Sequence, residues 1–378
     1  MILDRDEGGF FERVVTVHPF ASKTQVVRLN DVHVVHEFAY SHSRGRRKFR
    51  TIRWANSVIH LMRLIRRVQG LIRNERIDLV RSTDPYWAGL IGWSVTRIMR
   101  RPFCVSIHAD YDKRYELAGP AGAPVIFGSR KIAKRLQGFV IRQADRVMPI
   151  RESLGEKAIL DGASPETVRV IPHGIDSEVF RGDPSHDVRS LFGISEDKKI
   201  LSFAGRLSRE NYVGDVIELA RNLNHRRDFI IVMAGDGPEA ERLRALVTSE
   251  PNISRLIRLV GFQPHDIVID LLRVSTACLC LMGGFSLIEA CFAGRPVVSY
   301  DVEWHSELVK NNQTGCLVAE KDVDRLVQAV NYLLDHTEEA SRMGKNARAL
   351  AMERHAKEKT VAIKRKCYME LLGIQFDG

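Results

Sequence analysis

ACLCLMGGFSLIEACFAGRPVVSYD, residues 277–301, carries the chain's architecture in one stretch. An apolar run (277–282) ends at Gly283 and Gly284. SLIEACFAG then spaces its apolar residues as a helix does and stops at Gly294, and PVVSYD (296–301) is apolar again. Short runs that are apolar on both faces and bounded by glycine read as buried strands, and glycine just past the last periodic residue is a common helix stop. Strand, helix and strand joined by tight turns predict two parallel neighbours in a sheet covered on both faces.

The pattern repeats outward from this core. KILSFAG (199–205), DFIIVMAGDG (228–237), RLIRLVGF (255–262) and TGCLV (314–318) read as further strands. VIELARNL, PEAERLRALV, HDIVIDLLRVS and DVDRLVQAVNYLLD fall at helix positions around them. This predicts a doubly wound α/β unit, a fold that binds ligands at the carboxyl ends of its strands. The first half reads as a second such unit, with strands near 14–17, 33–38, 78–82, 103–108, 146–150 and 168–172 and helices near 52–75, 85–100, 128–144 and 152–160. Residues 173–187 are polar, with Gly and Pro, and predict a linker. The expected division is an N-terminal domain 1–172, a C-terminal domain 188–353, and a helical tail 354–378 that packs back on the first domain, with Gly373 as its stop.

A length of 378 residues suits two domains, and 44% hydrophobic with 28% charged residues is ordinary globular composition. No run reaches the length of a spanning helix, and acidic residues and glycine stand where a secretory leader would be apolar, so a cytoplasmic protein is expected. Six cysteines without paired spacing, most of them among apolar neighbours, predict buried free thiols and no zinc site. Charge is uneven: up to Pro172 the chain has 30 Lys and Arg against 17 Asp and Glu, and after it 27 against 30. The basic first part implies either an acidic partner or simply a solvated basic face. The stretch 43–73, where Arg alternates with Trp, Ile, Leu and Met, fits an anionic membrane surface, making the protein peripheral on the inner face; a core-facing helix with a basic outer side is the simpler reading. No nucleic-acid-binding module is recognisable, so no nucleic-acid partner is expected.

Three strand ends carry candidate chemistry. Gly205 turns the chain and Arg206 follows it, a forked donor suited to phosphate oxygens. Gly283 and Gly284 open a helix whose first N–H groups form an anion site. Glu289 lies within that apolar helix and needs a donor, either ribose hydroxyls or a nearby arginine. Gly235, in MAGDGPE, marks either ligand contact or a plain strand-to-helix turn.

IPHGID, LSFAGRL, MAGDGPE, VGF, GFSLIEACFAGRPVV and HSELVKNNQTGCLV, in that order across 168–318, resemble glycosyltransferase family 4. The resemblance implies the GT-B fold, α/β with two Rossmann-like doubly wound domains facing each other across a cleft. It implies retaining transfer of a hexose-type sugar from a nucleotide-sugar donor to a glycan, lipid-linked or small-molecule acceptor, with neither metal nor cofactor. Donor contacts then fall on Gly205, Arg206, Asn211, Gly235, Gly283, Gly284, Phe285, Ser286, Leu287 and Glu289, with Arg206 on the diphosphate, the 284–287 backbone around phosphate and sugar, and Glu289 on the ribose. His108, Asp110 and Glu289 form the expected catalytic set; His108 would touch the donor sugar, and Asp110 and Asp112 the acceptor hydroxyls. Three departures stand out. Asn211 replaces the family's usual lysine, Leu281 stands where a glutamate is frequent, and only MILDRDEGG precedes the first strand, so that Gly8 and Gly9 are a remnant of the opening turn or the first β-α unit is missing. These departures keep two alternatives open: a catalytically idle scaffold or regulatory subunit, and a sugar-nucleotide epimerase on the same fold.

Overall fold

The structure, a computed structural model, describes residues 7–39, 50–121, 123–126 and 128–375. It divides into two compact units, Met1–Pro172 with Thr360–Gly378, and His173–Lys359.

In the first unit the order is β1 (Val14–Ala21), β2 (Gln25–Arg28), β3 (His33–Ala39), α1 (Arg50–Asn74), β4 (Val80–Ser82), α2 (Trp87–Met99), β5 (Phe103–Ile107), α3 (Tyr111–Ala118), α4 (Arg130–Gln143), β6 (Arg146–Pro149) and α5 (Glu152–Leu160). In the second it is α6 (Val188–Phe192), β7 (Lys199–Ala204), α7 (Val213–Asn222), β8 (Phe229–Ala234), α8 (Ala240–Ser249), α9 (Pro251–Ser254), β9 (Ile257–Gly261), α10 (His265–Val274), β10 (Ala277–Leu279), α11 (Phe285–Phe292), β11 (Val297–Tyr300), α12 (His305–Leu308), β12 (Gly315–Val318), α13 (Val323–Asp335) and α14 (Thr337–His355). The final helix, α15 (Lys357–Leu372), supplies the last stretch of the first unit.

The second unit is one six-stranded parallel sheet in the order β12-β11-β10-β7-β8-β9. Its central strands β7, β8, β10 and β11 are mostly apolar and buried because both faces are covered. Leu201, Phe203, Ile231 and Met233 point to one face, against Val216 of α7, Leu243 of α8 and Val330 of α13. Ile200, Ile230 and Val232 point to the other, against Val188 of α6 and Leu271 of α10. Cys278 and Val297 continue that second face beneath Ile288 of α11 and Ala347 of α14.

The first unit is likewise α/β with mostly parallel strand pairs. Its strands form two three-stranded sheets, β1-β3-β2 and β4-β5-β6. The second is all parallel; in the first, β1 runs parallel to β3 and β2 antiparallel. Val14 to Val17 are only half-buried, so β1 is an edge strand, and β4 is three residues long. The two sheets share a helical layer: Val17, Phe38 and Val80 pack with Leu64, Val68 and Ile72 of α1 and with Ile91 and Val95 of α2. The predicted strand 168–172 is not a regular strand. It runs beside β6 through one bridge, Val147↔Val168, and through Arg169 N–H donating to the Val147 carbonyl at 2.9 Å.

Gly8 and Gly9 form a turn with φ of 70° and 84°, and no helix separates it from β1. The turn is held to α15: Lys364 donates to Glu7 at 3.0 Å, and Phe10 and Phe11 pack around Tyr368. Tyr368 and Cys367 close the core of Cys104, Met148 and Ile171. Arg81 donates to the Tyr368 hydroxyl at 2.6 Å, and Arg146 pairs with Glu370 at 2.9 Å. Of the basic stretch 43–73, residues 43–49 lie outside the described residues; the rest is α1, with Leu64, Val68 and Ile72 inward and Arg63, Arg66 and Arg73 exposed. That is the core-facing amphipathic reading. All six cysteines are buried free thiols. Among the described residues no helix is long and apolar enough to cross a membrane.

Candidate functional site

Counted along the chain, the six strands of the second unit lie in the spatial order 3-2-1-4-5-6, which reverses direction between β7 and β10. In such sheets the loops leaving the two strands at the reversal part to opposite faces and open a crevice for a ligand. Arg206 stands just past β7, and Gly283 and Gly284 just past β10. The strands are adjacent and in register, Ala277 with Leu201 and Cys278 with Ser202. Carried forward, that register brings Arg206 and the Met282–Gly284 turn to the same level on one sheet edge.

This edge is built to stay open. A Cβ added at Gly205 or at Gly284 would meet no protein atom within 4 Å. Arg206 is exposed, and among the described residues no carboxylate pairs with its guanidinium. Gly284 caps α11 with no side-chain acceptor, so the opening amides of Phe285, Ser286 and Leu287 keep their donors free at the positive end of the helix dipole. Gly283 serves packing: a Cβ there would come within 2.7 Å of the Leu287 Cβ. Phe285 lies against the His173 ring, with centroids 4.7 Å apart, which ties the IPHGID motif to the start of α11.

Two histidines complete the arrangement: His305, which opens the HSELVKNNQTGCLV motif without being singled out there, and His265. His305, fully buried, reaches the amide of Gly283 with Nε2 at 3.1 Å, while its Nδ1 lies beside the Ser299 hydroxyl at 2.5 Å and the Tyr300 carbonyl at 3.1 Å. It braces the glycine turn from beneath. His265 Nε2 lies 2.8 Å from Glu289 Oε1, and the Glu289 side chain is 13% exposed. The donor that Glu289 requires is therefore His265 rather than an arginine. The signal was absent because the partners stand 22 and 24 residues apart on different elements.

Other expected residues have structural duties. A Cβ at Gly235 would sit 1.8 Å from the Gly205 carbonyl oxygen, and one at Gly237 would sit 2.4 Å from that of Leu207. The MAGDGPE glycines thus let two strand-end turns stack, with Leu207 N–H donating to the Asp236 carbonyl at 2.9 Å. Asn211 donates from its amide to the Arg206 carbonyl at 2.7 Å and stitches that turn together. Leu281 is completely buried in the core, so its position offers nothing to a ligand.

In the first unit His108 directly follows β5 and is half-buried. Asp110 caps α3, accepting from the amides of Asp112 at 2.9 Å and Lys113 at 3.1 Å. Asp112 pairs with Arg130 at 2.8 Å, Lys157 at 3.0 Å and Lys134 at 3.1 Å. Burial pushes its carboxyl upward, but these hydrogen bonds outweigh burial and hold it well below the usual carboxylate range. Among the described residues no three His, Cys, Asp or Glu side chains gather as a metal site.

Two family models match the chain: Glycosyltransferase Family 4 over residues 17–179 and Glycosyl transferases group 1 over residues 187–350. Similar proteins include an alpha-D-kanosaminyltransferase of Streptomyces kanamyceticus, 25% identical over 71% of this chain and 70% of the relative. A 2-deoxystreptamine N-acetyl-D-glucosaminyltransferase of Streptomyces fradiae is 28% identical over 68% of this chain and 63% of the relative. Among solved structures, Anabaena Alr3699/HepE in complex with UDP superposes with a TM-score of 0.70 at 20% identity, covering 91% of this chain and 87% of the other. Sucrose-phosphate synthase of Thermosynechococcus elongatus gives 0.71 at 18% identity, over 96% and 89%. The structural neighbours bear on the fold, which is GT-B.

Proposed function

The chain belongs to the family 4 glycosyltransferases, and we propose that it moves a hexose-type sugar from a nucleoside diphosphate to a glycan, lipid-linked or small-molecule acceptor, with retention and without a metal ion. The observation that carries this reading is the convergence at the sheet reversal: an unpaired arginine and a helix's free amides on one open edge. Departure of the sugar leaves negative charge on the diphosphate, and Arg206 with the α11 amides is the arrangement that stabilises it. Glu289, oriented by His265, is the group for ribose hydroxyls. His108 is our candidate for contact with the donor sugar. No nucleophile on the protein is required, because the departing phosphate can take the acceptor proton on the face where the acceptor attacks. The Anabaena neighbour solved with UDP-glucose supports a uridine nucleotide as donor.

The test is donor turnover by purified protein. Arg206→Ala is expected to lower kcat by roughly 100- to 1,000-fold, the usual effect of removing a donor that acts on developing charge. Glu289→Ala is expected to raise KM for the donor. Chelation by EDTA should leave the rate unchanged, and the product anomer read by NMR should match that of the donor. Unchanged rates in both variants would overturn the site assignment.

Leu281 in the core and Asn211 tied to a backbone carbonyl favour a second reading, a nucleotide-binding scaffold that lacks turnover. Calorimetric binding of UDP without hydrolysis or transfer would select it. The exposed arginines of α1 also support association with an anionic bilayer. Sedimentation with phosphatidylglycerol vesicles, but not with neutral ones, is the expected result; no lipid dependence refutes it.

A further inference from the structure

A second concentration of positive charge lies in the same unit, on the sheet edge opposite Gly284. It is an open cavity of about 550 Å³ beside the amino ends of β10 and β11, and its walls include Arg181, Arg273, Arg295 and Arg348. Among the described residues no aspartate or glutamate lines it. Guanidinium groups gathered around one space repel each other where counter-charge is lacking.

The nearby carboxylates are already engaged. Asp270, buried behind the wall, accepts from the amides of Ser185 at 2.9 Å and His186 at 3.0 Å, and its Oδ1 lies 3.5 Å from Arg273. Arg181 has Glu178 at 2.9 Å, on the exposed rim. Arg295 and Arg348 have no carboxylate within 4 Å among the described residues. Among the described residues Arg295 donates to the Arg273 carbonyl, and its Nε is shut away from solvent with no acceptor. Burial, with the like charge of Arg273, pulls the Arg295 pKa below the ordinary arginine value. The charges of Arg295 and Arg348, without a carboxylate partner beside a cavity lined by further arginines, are what an anion in that cavity would balance.

We propose that this arginine-lined cavity binds a small phosphate-bearing anion, such as a phosphate ester or diphosphate, at a site separate from the one beside Arg206. Arginine's planar fork suits phosphate oxygens, and the space accepts a small phosphorylated molecule rather than a chain. The proposal does not depend on the transferase reading, since it rests on the arginines that line this cavity, Arg295 and Arg348 foremost.

Inorganic pyrophosphate is the probe, titrated calorimetrically into the full chain and three variants. Arg206→Ala removes the other phosphate-binding candidate and is expected to retain pyrophosphate binding. Arg295→Gln and Arg348→Gln, each made in that Arg206→Ala background, are expected to weaken it by about tenfold or more. Arg348 is exposed, so its replacement reports on binding even where Arg295→Gln compromises folding, which circular dichroism checks. Hydrogen exchange should slow at residues 181–184, 273–274 and 293–295 on saturation. Absence of millimolar binding in Arg206→Ala, or binding that the Arg348→Gln change leaves intact, overturns the proposal.

Discussion

Glycines that look alike in the sequence do different work. Gly284 borders open space, whereas Gly235 lies against the Gly205 carbonyl. Gly284→Ala should therefore leave the melting temperature unchanged while weakening nucleotide binding, and Gly235→Ala should lower the melting temperature because backbone must shift to admit the methyl, at about 1–3 kcal/mol. Thermal melts with and without UDP separate the two. Asp112 offers a pH test. Its folded pKa is depressed, so the stability it contributes is present above the ordinary carboxylate range and is lost as pH falls from that range down through the depressed folded value. Asp112→Asn should flatten the acid limb of a stability-against-pH curve. At this scale the sequence exposed what is local: an arginine after a strand, and a glycine pair before a helix. It concealed the partners of His265 and His305, which arrive only through folding, and it did not show that Gly235 packs against a neighbouring turn or that Asn211 stitches one.

Elements with one unmistakable period were legible. The central strands of the second unit are mostly apolar because helices cover both faces, and α10 and α13 show their buried stripes directly. The first unit was read less well. β2 carries exposed Val26 and Val27 between Gln25 and Arg28, so neither alternation nor a buried run marks it. The stretch 168–172 has the composition of a strand, yet it makes only a single bridge, because pairing depends on a neighbour's path rather than on propensity. The helix α15 is secured by a few contacts, Tyr368 foremost. Tyr368→Ala should destabilise the first unit by roughly 3–5 kcal/mol, the usual range for removing a core aromatic. Urea unfolding followed by tryptophan fluorescence would register it, since all four tryptophans but Trp304 lie in that unit.

Across the whole molecule, the chain returns at Thr360 to the unit it left at Pro172. In topological terms the nucleotide-binding candidate is an insert spliced into a host whose two ends close around Tyr368. A peptide of residues 173–359 has its own uninterrupted core and should fold alone and retain UDP. A peptide of residues 1–172 would expose Cys104, Met148 and Ile171 and should aggregate until the 360–378 segment is supplied in trans. Domain exchange between relatives would therefore need two splice junctions, not one.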